Sequence, residues 1–282
     1  MYRIGFDAKR LFHNGTGLGN YSRSLVSSLD NFFPNNKYIL FTPSVSYNED
    51  SYYFTHKFSI VTPPAFSSIA WRSRFILSDL IQNDIDIYHG LSHELPFGIE
   101  NTTIKSVVTI HDLIYKFFPA DFPLIDKAVY DIKWRNACKN SNAIIATSQA
   151  TKNDIIQHFG IDEQKIHVVY QTCSSIFEKR LSHAQIIKSL QKFNLPPTFL
   201  LYVGAIAERK NVLALVEAYN KIKKDIQIPL LIVGNGRGHV TKVKNYIATH
   251  NLQSKVILLH KVENSDLPAL YQAAKAFIYP SK

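Results

Sequence analysis

The clearest indication of the fold of this chain is the sequence FLLYVGAIAERKN at residues 199–211. Five apolar and aromatic residues end at Gly204, a pattern typical of a buried parallel strand whose backbone turns sharply at its carboxyl end. Asn211 is a favourable N-cap residue, and the apolar residues after it recur at helical spacing: Val212, Leu215, Val216, Tyr219 and Ile222. The stretch therefore predicts a strand, a charged loop and an amphipathic helix.

Two cations, Arg209 and Lys210, stand just before this predicted helix. Free backbone N–H groups and the helix dipole add positive potential at that point, so the arrangement suits a phosphate or diphosphate. The alternative from spacing alone is a solvated Arg-Lys pair on a loop.

The rest of the chain alternates strand and helix patterns. Helices are predicted at about 66–82, 123–139 and 149–159. The predicted strands are Arg3–Ala8, Tyr38–Thr42, Phe58–Thr62, Ile85–His89, Ser106–His111, Ala143–Thr147 and Lys165–Tyr170, and later Phe199–Val203, Leu230–Val233, Val256–Leu259 and Ala276–Tyr279. Such alternation predicts an α/β fold of parallel sheets covered by helices on both faces, with ligands at the carboxyl ends of the strands.

The length of 282 residues and the hydrophobic content of 46% suit two domains. We expect an N-terminal domain over residues 1–170, a linker region over 171–197, and a C-terminal domain over 198–282. The polar stretch ending in Asn194-Leu195-Pro196-Pro197 marks the linker. No signal-peptide pattern or membrane-length apolar run is present, so we expect a cytoplasmic protein with at most peripheral membrane contact. Cys138 and Cys173 are expected to be buried, reduced thiols.

The net charge of +10 is concentrated in the second half of the chain, where residues 171–282 hold 16 Lys and Arg against 6 Asp and Glu. A basic domain suits nucleic acid, an anionic membrane or a phosphorylated ligand. Many of these lysines lie singly on polar helix faces without the aromatic residues that stack bases. The pattern favours a phosphorylated small ligand and argues against nucleic-acid binding.

A glycine-rich loop, NGTGLGN, follows the first predicted strand at residues 14–20. Such a turn lets the backbone at Gly17 approach a ligand closely. The alternative is a tight turn that serves packing only. The glycine spacing differs from that of dinucleotide-binding proteins, which disfavours a nicotinamide-dependent enzyme.

Polar residues also cluster at the ends of two later strands. His111 and Asp112 end one strand, and His89 and His93 flank the end of another. A His-Asp pair in this position could transfer a proton or bind a sugar hydroxyl, although a structural role is also open. The spacing of His, Cys, Asp and Glu matches no metal site.

Several of these segments resemble those of family 4 glycosyltransferases. They are the Val-Gly strand end followed by Arg209, Lys210 and Asn211; the loop TGLGNY at 16–21; VVTIHDL at 107–113; SQATKNDI at 148–155; and VENSDLPALYQAA at 262–274. The resemblance implies a GT-B fold of two Rossmann-like domains facing each other. It also implies retaining transfer of a hexosyl group, mannosyl or glucosyl, from a UDP- or GDP-linked sugar to a glycan or lipid-linked acceptor in cell-surface polysaccharide synthesis.

The resemblance also implies roles for individual residues. Gly17, Arg209, Lys210, Gly234 and Val262 would contact the donor, and His111 with Asp112 would serve the catalytic site. No metal or other cofactor is implied. Gly234 has an alternative as an ordinary turn residue. Two alternative functions stay open: another GT-B enzyme such as a nucleotide-sugar epimerase, and a nucleotide-phosphate-binding fragment without catalysis.

The resemblance stops at Lys282, just before a loop in which the family has two glutamates seven residues apart. Since that loop contacts the donor sugar and ribose in the family, we expect a truncated chain that binds nucleoside diphosphates weakly and transfers little sugar.

Overall fold

The computed structural model describes residues 1–64, 70–236 and 238–282. The chain forms two compact units, an N-terminal unit Met1–Cys173 and a C-terminal unit Ser174–Lys282. Most of the region predicted as a linker therefore belongs to the C-terminal unit.

The N-terminal unit is built on a seven-stranded parallel sheet of order β3-β2-β1-β4-β5-β6-β7. The strands are β1 Arg3–Asp7, β2 Lys37–Phe41, β3 Ser59–Val61, β4 Ile87–Gly90, β5 Lys105–Ile110, β6 Ala143–Ala146 and β7 Ile166–Val168. The α-helices are Lys9–His13, Gly17–Phe32, Glu49–Lys57, Ile76–Gln82, Ile114–Phe117, Leu124–Asn140 and Gln149–Phe159, with a π-helical turn Trp71–Phe75. Each predicted strand is present with its bounds shifted by two residues or fewer. Residues 66–69 of the helix predicted at 66–82 lie outside the described residues.

Alternating side chains of the strands enter two cores, one on each face of the sheet. In β2, Tyr38 and Leu40 pack with the helices Gly17–Phe32 and Glu49–Lys57, whereas Ile39 and Phe41 pack on the other face with Trp71. The first of these helices packs Tyr21, Leu25 and Leu29 against this core, whereas Phe32 at its end is exposed. Burial on both faces explains why the strands read as nearly continuous apolar runs.

The C-terminal unit contains a four-stranded parallel sheet of order β10-β9-β8-β11. Its strands are β8 Phe199–Val203, β9 Leu230–Val233, β10 Val256–Leu259 and β11 Ala274–Phe277, the last beginning two residues earlier than predicted. Its α-helices are His183–Lys192, Val212–Ile222, Gly238–Thr249 and Leu267–Ala273.

The helix His183–Lys192 explains why the linker prediction was too long. Leu190 packs on Phe199 and Leu231, so this helix covers one face of the second sheet together with helix Leu267–Ala273. Alternate β9 residues, Leu230 and Ile232, pack on the opposite face with helix Val212–Ile222. Polar composition suggested a linker because only one side of the helix is apolar.

The strand order reverses between β1 and β4 in the first sheet and between β8 and β11 in the second. At such a point the connections leave in opposite directions and open a crevice at the carboxyl edge of the sheet, where α/β proteins bind ligands. Ligand sites are therefore expected at these two edges. Among the described residues, no helix is both long and apolar enough to cross a membrane.

Candidate functional site

His111 follows β5 at the carboxyl edge of the first sheet, and both of its ring nitrogens have partners. Nε2 lies 2.9 Å from the carbonyl oxygen of Leu91 and Nδ1 lies 2.9 Å from the side-chain nitrogen of Gln171. A carbonyl can only accept, so Nε2 carries the proton and Nδ1 accepts from the Gln171 amide. The backbone carbonyl of His111 accepts from the hydroxyls of Thr147 and Thr151 at 2.8 and 3.1 Å. These contacts hold the ring and fix its tautomer.

Aromatic and hydroxyl groups surround this histidine. Tyr21 meets the His111 ring edge-on at 4.7 Å between centroids, and its hydroxyl lies 2.9 Å from Thr109 Oγ1. The same Thr109 oxygen lies 2.8 Å from His89 Nε2. His93 Nε2 accepts the backbone N–H of His111 at 3.1 Å. His89 and His93, which the sequence placed near the end of a neighbouring strand, thus both take part in this network.

Three imidazoles at this edge are held in the neutral form. Burial, and secondarily the charge of His111, lowers the pKa of His89 to about 3. Burial also lowers the pKa of His93 well below its usual value, and it lowers the pKa of His111. A neutral His111 whose Nδ1 is an acceptor suits a hydroxyl donor better than it suits a phosphate.

The expected His-Asp pair does not form a hydrogen bond. Asp112 is exposed, and its Oδ1 accepts the backbone N–H of Ile114 at 3.1 Å. The carboxylate thus caps the turn that follows β5, a common local use of Asp. Its charge still raises the pKa of His111 through space, against the larger lowering effect of burial.

The glycine-rich loop starts the helix Gly17–Phe32, which carries Tyr21 to His111. A Cβ on Gly19 would lie 1.7 Å from the backbone oxygen of Asn14, so packing requires that glycine. Gly17 is exposed, and a Cβ there would meet nothing within 4 Å. The packing alternative therefore accounts for Gly19 and leaves Gly17 unexplained.

A charged network that the sequence analysis missed lies at the end of β1. Asp7 is buried, and its two carboxylate oxygens accept from Arg72 at 3.1 and 2.5 Å. Arg72 also lies 3.7 Å from Glu94, which accepts from Lys133 at 3.0 Å. The signal in the sequence was Asp7 itself, a carboxylate at the end of a buried strand that needs a partner.

In the C-terminal unit, Arg209 and Lys210 lie in a 3₁₀ turn, Glu208–Lys210, between β8 and helix Val212–Ile222. Lys210 Nζ lies 4.9 Å from the centre of the Tyr279 ring, and Tyr279 in turn stacks on Tyr202 at 5.5 Å. The backbone oxygen of Arg209 accepts from Lys282 N at 2.9 Å. This turn lies beside β8 and the chain leaving β11, where the strand order reverses.

Asn211 occupies the N-cap position, but its role differs from the expected one. Its side chain makes no capping hydrogen bond, and its backbone is left-handed with φ 56°. Asn tolerates this conformation better than most residues, which gives a local reason for its presence after the turn.

Gly234 lies where two loops touch. A Cβ on Gly234 would lie 1.8 Å from the backbone oxygen of Gly204. Ile206 N donates to the oxygen of Asn235 at 2.9 Å, and His260 Nδ1 lies 3.1 Å from the oxygen of Gly234. Close approach of the β8 and β9 loops therefore requires this glycine, and the ordinary-turn alternative does not describe it.

Val262 is half-buried and packs on the core that contains Leu270. The following helix begins at Leu267, and Asp266 occupies its N-cap position. The Asp266 side chain makes no capping hydrogen bond, because its carboxylate pairs with Lys192 at 2.7 Å.

The two cysteines differ. Cys138 is buried as predicted, and burial raises the pKa of its thiol to about 12, whereas Cys173 is exposed, contrary to the prediction. Over the residues that the structure describes, no group of three or more His, Cys, Asp and Glu could hold a metal ion.

Two protein-family models match the chain. Residues 16–172 match "Glycosyltransferase Family 4", and residues 184–282 match "Glycosyl transferases group 1". Together the matches cover most of both compact units.

Curated relatives include two enzymes named as mannosyltransferases. The chain is 27% identical to O-antigen chain mannosyltransferase B of Escherichia coli over 69% of the chain, and it spans about half (51%) of that protein's length. It is 24% identical to O-antigen chain mannosyltransferase RfbU of Salmonella typhimurium over 96% of the chain and 74% of that protein.

Solved structures share the architecture at low identity. Anabaena Alr3699/HepE, in complex with UDP and glucose, superimposes with a TM-score of 0.73 at 16% identity, covering 100% of this chain and 74% of its own. WaaG, described as a glycosyltransferase involved in lipopolysaccharide biosynthesis, superimposes with a TM-score of 0.72 at 14% identity. The match covers 99% of this chain and 75% of the WaaG chain. The fold is therefore the GT-B fold.

Proposed function

The chain belongs to glycosyltransferase family 4, and from this membership we propose that it transfers a hexosyl group, mannosyl in the first instance, from a nucleotide-diphosphate sugar to a glycan or lipid-linked acceptor. Curated relatives named as O-antigen chain mannosyltransferases support the sugar and the class of product. A solved neighbour bound to UDP and glucose supports a nucleotide-sugar donor. We propose that the donor is UDP- or GDP-linked, that no cofactor is needed, and that the anomeric configuration is retained.

The observation that carries this proposal is the pair of cations at the switch point of the second sheet, the place between β8 and β11 where the strand order reverses. Arg209 and Lys210 follow β8, and Lys210 lies over Tyr279 beyond β11. Negative charge grows on the departing diphosphate in the transition state, so cations held there stabilise it more than they stabilise the bound donor. Gly234 would serve the donor indirectly, because it lets the adjoining loop pack on the turn. Val262 contributes through the backbone of its loop.

His111 and Asp112 act on the sugar in this proposal. A sugar hydroxyl would donate to His111 Nδ1 in place of the Gln171 amide. Because Nε2 is already committed to Leu91, the imidazole binds the hydroxyl as a neutral acceptor and does not act as an acid. Asp112 offers its exposed carboxylate to a neighbouring hydroxyl.

Gly17 is proposed to lie against the donor diphosphate. Since neither packing nor backbone strain calls for a glycine there, close approach of a ligand to the backbone is a sufficient reason for its lack of a side chain.

A peripheral membrane contact fits a lipid-linked acceptor, and the helix Leu124–Asn140 supports it. Leu124, Ile125 and Ile132 are 80%, 77% and 62% exposed on one face. Apolar side chains in this arrangement suit the boundary between headgroups and acyl chains. The same helix holds more cations than carboxylates, which favours an anionic surface: Lys127, Lys133, Arg135 and Lys139 against Asp126 and Asp131.

The proposed donor chemistry can be tested with a panel of nucleotide sugars. We expect GDP-mannose or another UDP- or GDP-linked hexose to raise the melting temperature of the chain at millimolar concentration, with ADP-glucose and free mannose as controls. Transfer to a lipid-linked glycan, followed by NMR of the new anomeric centre, would establish whether configuration is retained. Absence of stabilisation by every UDP- and GDP-sugar would contradict the proposal.

A further inference from the structure

Two carboxylates at the carboxyl end of β1 already have cationic partners. Asp7 is bonded twice by Arg72, and Glu94 accepts from Lys133. The pairs are partly or fully buried, so their charges largely cancel in place. Further positive charge at this point is therefore in excess.

Lys9 and Arg10 supply that excess. The backbone N–H of Lys9 donates to Asp7 at 3.2 Å, which anchors the segment beside the network. Within residues 1–64, 70–236 and 238–282, neither the Lys9 ammonium nor the Arg10 guanidinium makes a hydrogen bond or an ion pair. Burial, and then the charges of Arg72 and Arg10, lowers the pKa of Lys9, and the smaller opposing effects of Glu94 and Asp7 do not restore it.

Arg10 borders the same sheet edge as His111. The carbonyl oxygen of Arg10 lies 3.0 Å from where a Cβ on Gly19 would stand, so its backbone packs on the glycine-rich loop. The positive charge of Arg10 also contributes to lowering the pKa of His93 and of His111. Since β1 and β4 meet at the switch point of this sheet, the excess cations lie where such sheets bind ligands.

We propose that Lys9 and Arg10 form a binding subsite for a phosphate or diphosphate group. A multiply charged anion would pair with both side chains and relieve the repulsion among Lys9, Arg10 and Arg72. Such an anion has two sources in a glycosyl transfer: the diphosphate of the donor, and the diphosphate that joins an acceptor glycan to its lipid. Arg209 and Lys210 already serve the donor in our proposal, so the acceptor is the favoured source. The choice of source rests on the proposed function, whereas binding of the anion does not.

Inorganic pyrophosphate is the first probe, with tryptophan emission as the readout. The chain has two tryptophans, Trp71 and Trp134, and both belong to the N-terminal unit. Trp134 stacks on His93 at 3.9 Å, close to the proposed subsite. A change in emission therefore reports binding in that unit.

We expect Lys9→Ala/Arg10→Ala to raise the pyrophosphate Kd by about 10- to 100-fold, the usual effect of losing hydrogen bonds to a charged group. Lys37→Ala/Lys105→Ala removes the same charge from exposed residues at the amino ends of β2 and β5, and it should change the Kd by less than about threefold. Lys9→Arg/Arg10→Lys keeps both charges and should bind nearly as the wild type does. An unchanged Kd in the first variant, or equal losses in the first two, would overturn the proposal.

Two further ligands, farnesyl diphosphate and GDP, identify the source of the anion. If the subsite serves the acceptor, Lys9→Ala/Arg10→Ala weakens binding of farnesyl diphosphate and leaves the affinity for GDP unchanged. Arg209→Ala/Lys210→Ala then weakens binding of GDP and leaves the affinity for farnesyl diphosphate unchanged. If Lys9→Ala/Arg10→Ala weakens GDP instead, the subsite serves the donor. If the chain binds pyrophosphate through Lys9 and Arg10 but binds no nucleotide sugar, the proposed subsite is supported and the proposed function is contradicted.

Discussion

Lys210 is the residue on which the proposed donor site depends most directly. Its ammonium lies over the Tyr279 ring, and among the described residues no carboxylate forms an ion pair with it that a ligand would have to displace. We expect Lys210→Ala to weaken GDP or UDP binding by about 1.5–3 kcal/mol, the scale of a hydrogen bond to a charged group. Isothermal titration calorimetry measures the change, and Lys221→Ala, an exposed lysine at the end of the following helix, is the control. If Lys210→Ala and the wild type bind GDP or UDP with equal affinity, Arg209 and Lys210 are a solvated pair on a loop and do not bind the donor.

His89 makes the N-terminal unit sensitive to acid. Its pKa is about 3 in the folded chain and about 6.5 when unfolded, because burial disfavours the charged ring. The unfolded chain therefore takes up a proton first, and the free energy of unfolding falls as pH drops from about 6.5 toward 3. The full shift corresponds to a loss of about 5 kcal/mol from this group.

The variant His89→Gln keeps a donor for Thr109 and removes the titrating ring. We expect its denaturant-unfolding free energy to fall less steeply between pH 6.5 and 4 than that of the wild type. His167→Gln, at an exposed position on β7, should keep the wild-type slope. Parallel slopes for His89→Gln and wild type would show that His89 contributes no acid sensitivity.

In the glycine-rich loop, packing requires Gly19, whereas Gly17 is proposed to bind a ligand. A Cβ at residue 19 would collide with the Asn14 carbonyl, so Gly19→Ala should destabilise the fold by about 2 kcal/mol or more. In Gly17→Ala, the added Cβ has no atom within 4 Å beyond its immediate neighbours in the chain, so the substitution should change the free energy of unfolding by less than about 0.5 kcal/mol. If Gly17 lies against a diphosphate, the same variant should weaken GDP binding. Thermal unfolding measures the stability of both variants, and calorimetry measures their affinity for GDP. If folded Gly17→Ala binds GDP as the wild type does, Gly17 does not contact the diphosphate.

The helix Leu124–Asn140 allows a test of membrane contact. We expect Leu124→Ser/Ile125→Ser to reduce binding to vesicles of 30% anionic lipid, measured by co-sedimentation, by at least about tenfold, since the two substitutions remove several methylene-sized groups, each of which stabilises binding by up to about 0.8 kcal/mol when buried. Phe32→Ser/Phe33→Ser changes two other exposed apolar residues and should leave sedimentation unaltered. Equal sedimentation of both variants would show that this helix is not the contact.

At the scale of the whole molecule, each unit has its own sheet and its own pair of cores. We expect two unfolding transitions in urea, because units that each bury a core can unfold separately. Tryptophan emission should follow the N-terminal unit alone, while far-UV circular dichroism follows both. Phe277→Trp, a partly exposed position on β11, adds a reporter for the C-terminal unit. Coincident transitions for all three signals would mean that the units unfold together.

Features of this protein that depend on residues close in the chain could be predicted from the amino-acid sequence. Buried parallel strands must be apolar on both faces, so β8, β9 and β10 could be located to the residue, and the cations Arg209 and Lys210 could be assigned to a turn before a helix. The tertiary structure decided which distant residues meet. Strand order brings Tyr21 and Gln171 to His111, His89 to Thr109, and Tyr279 to Lys210. Local periodicity carries no information on strand order, because the same apolar strand can pair with any of several neighbours. The excess charge of Lys9 and Arg10 is visible only in three dimensions, since the partners of Asp7 and Glu94 come from elements far along the chain.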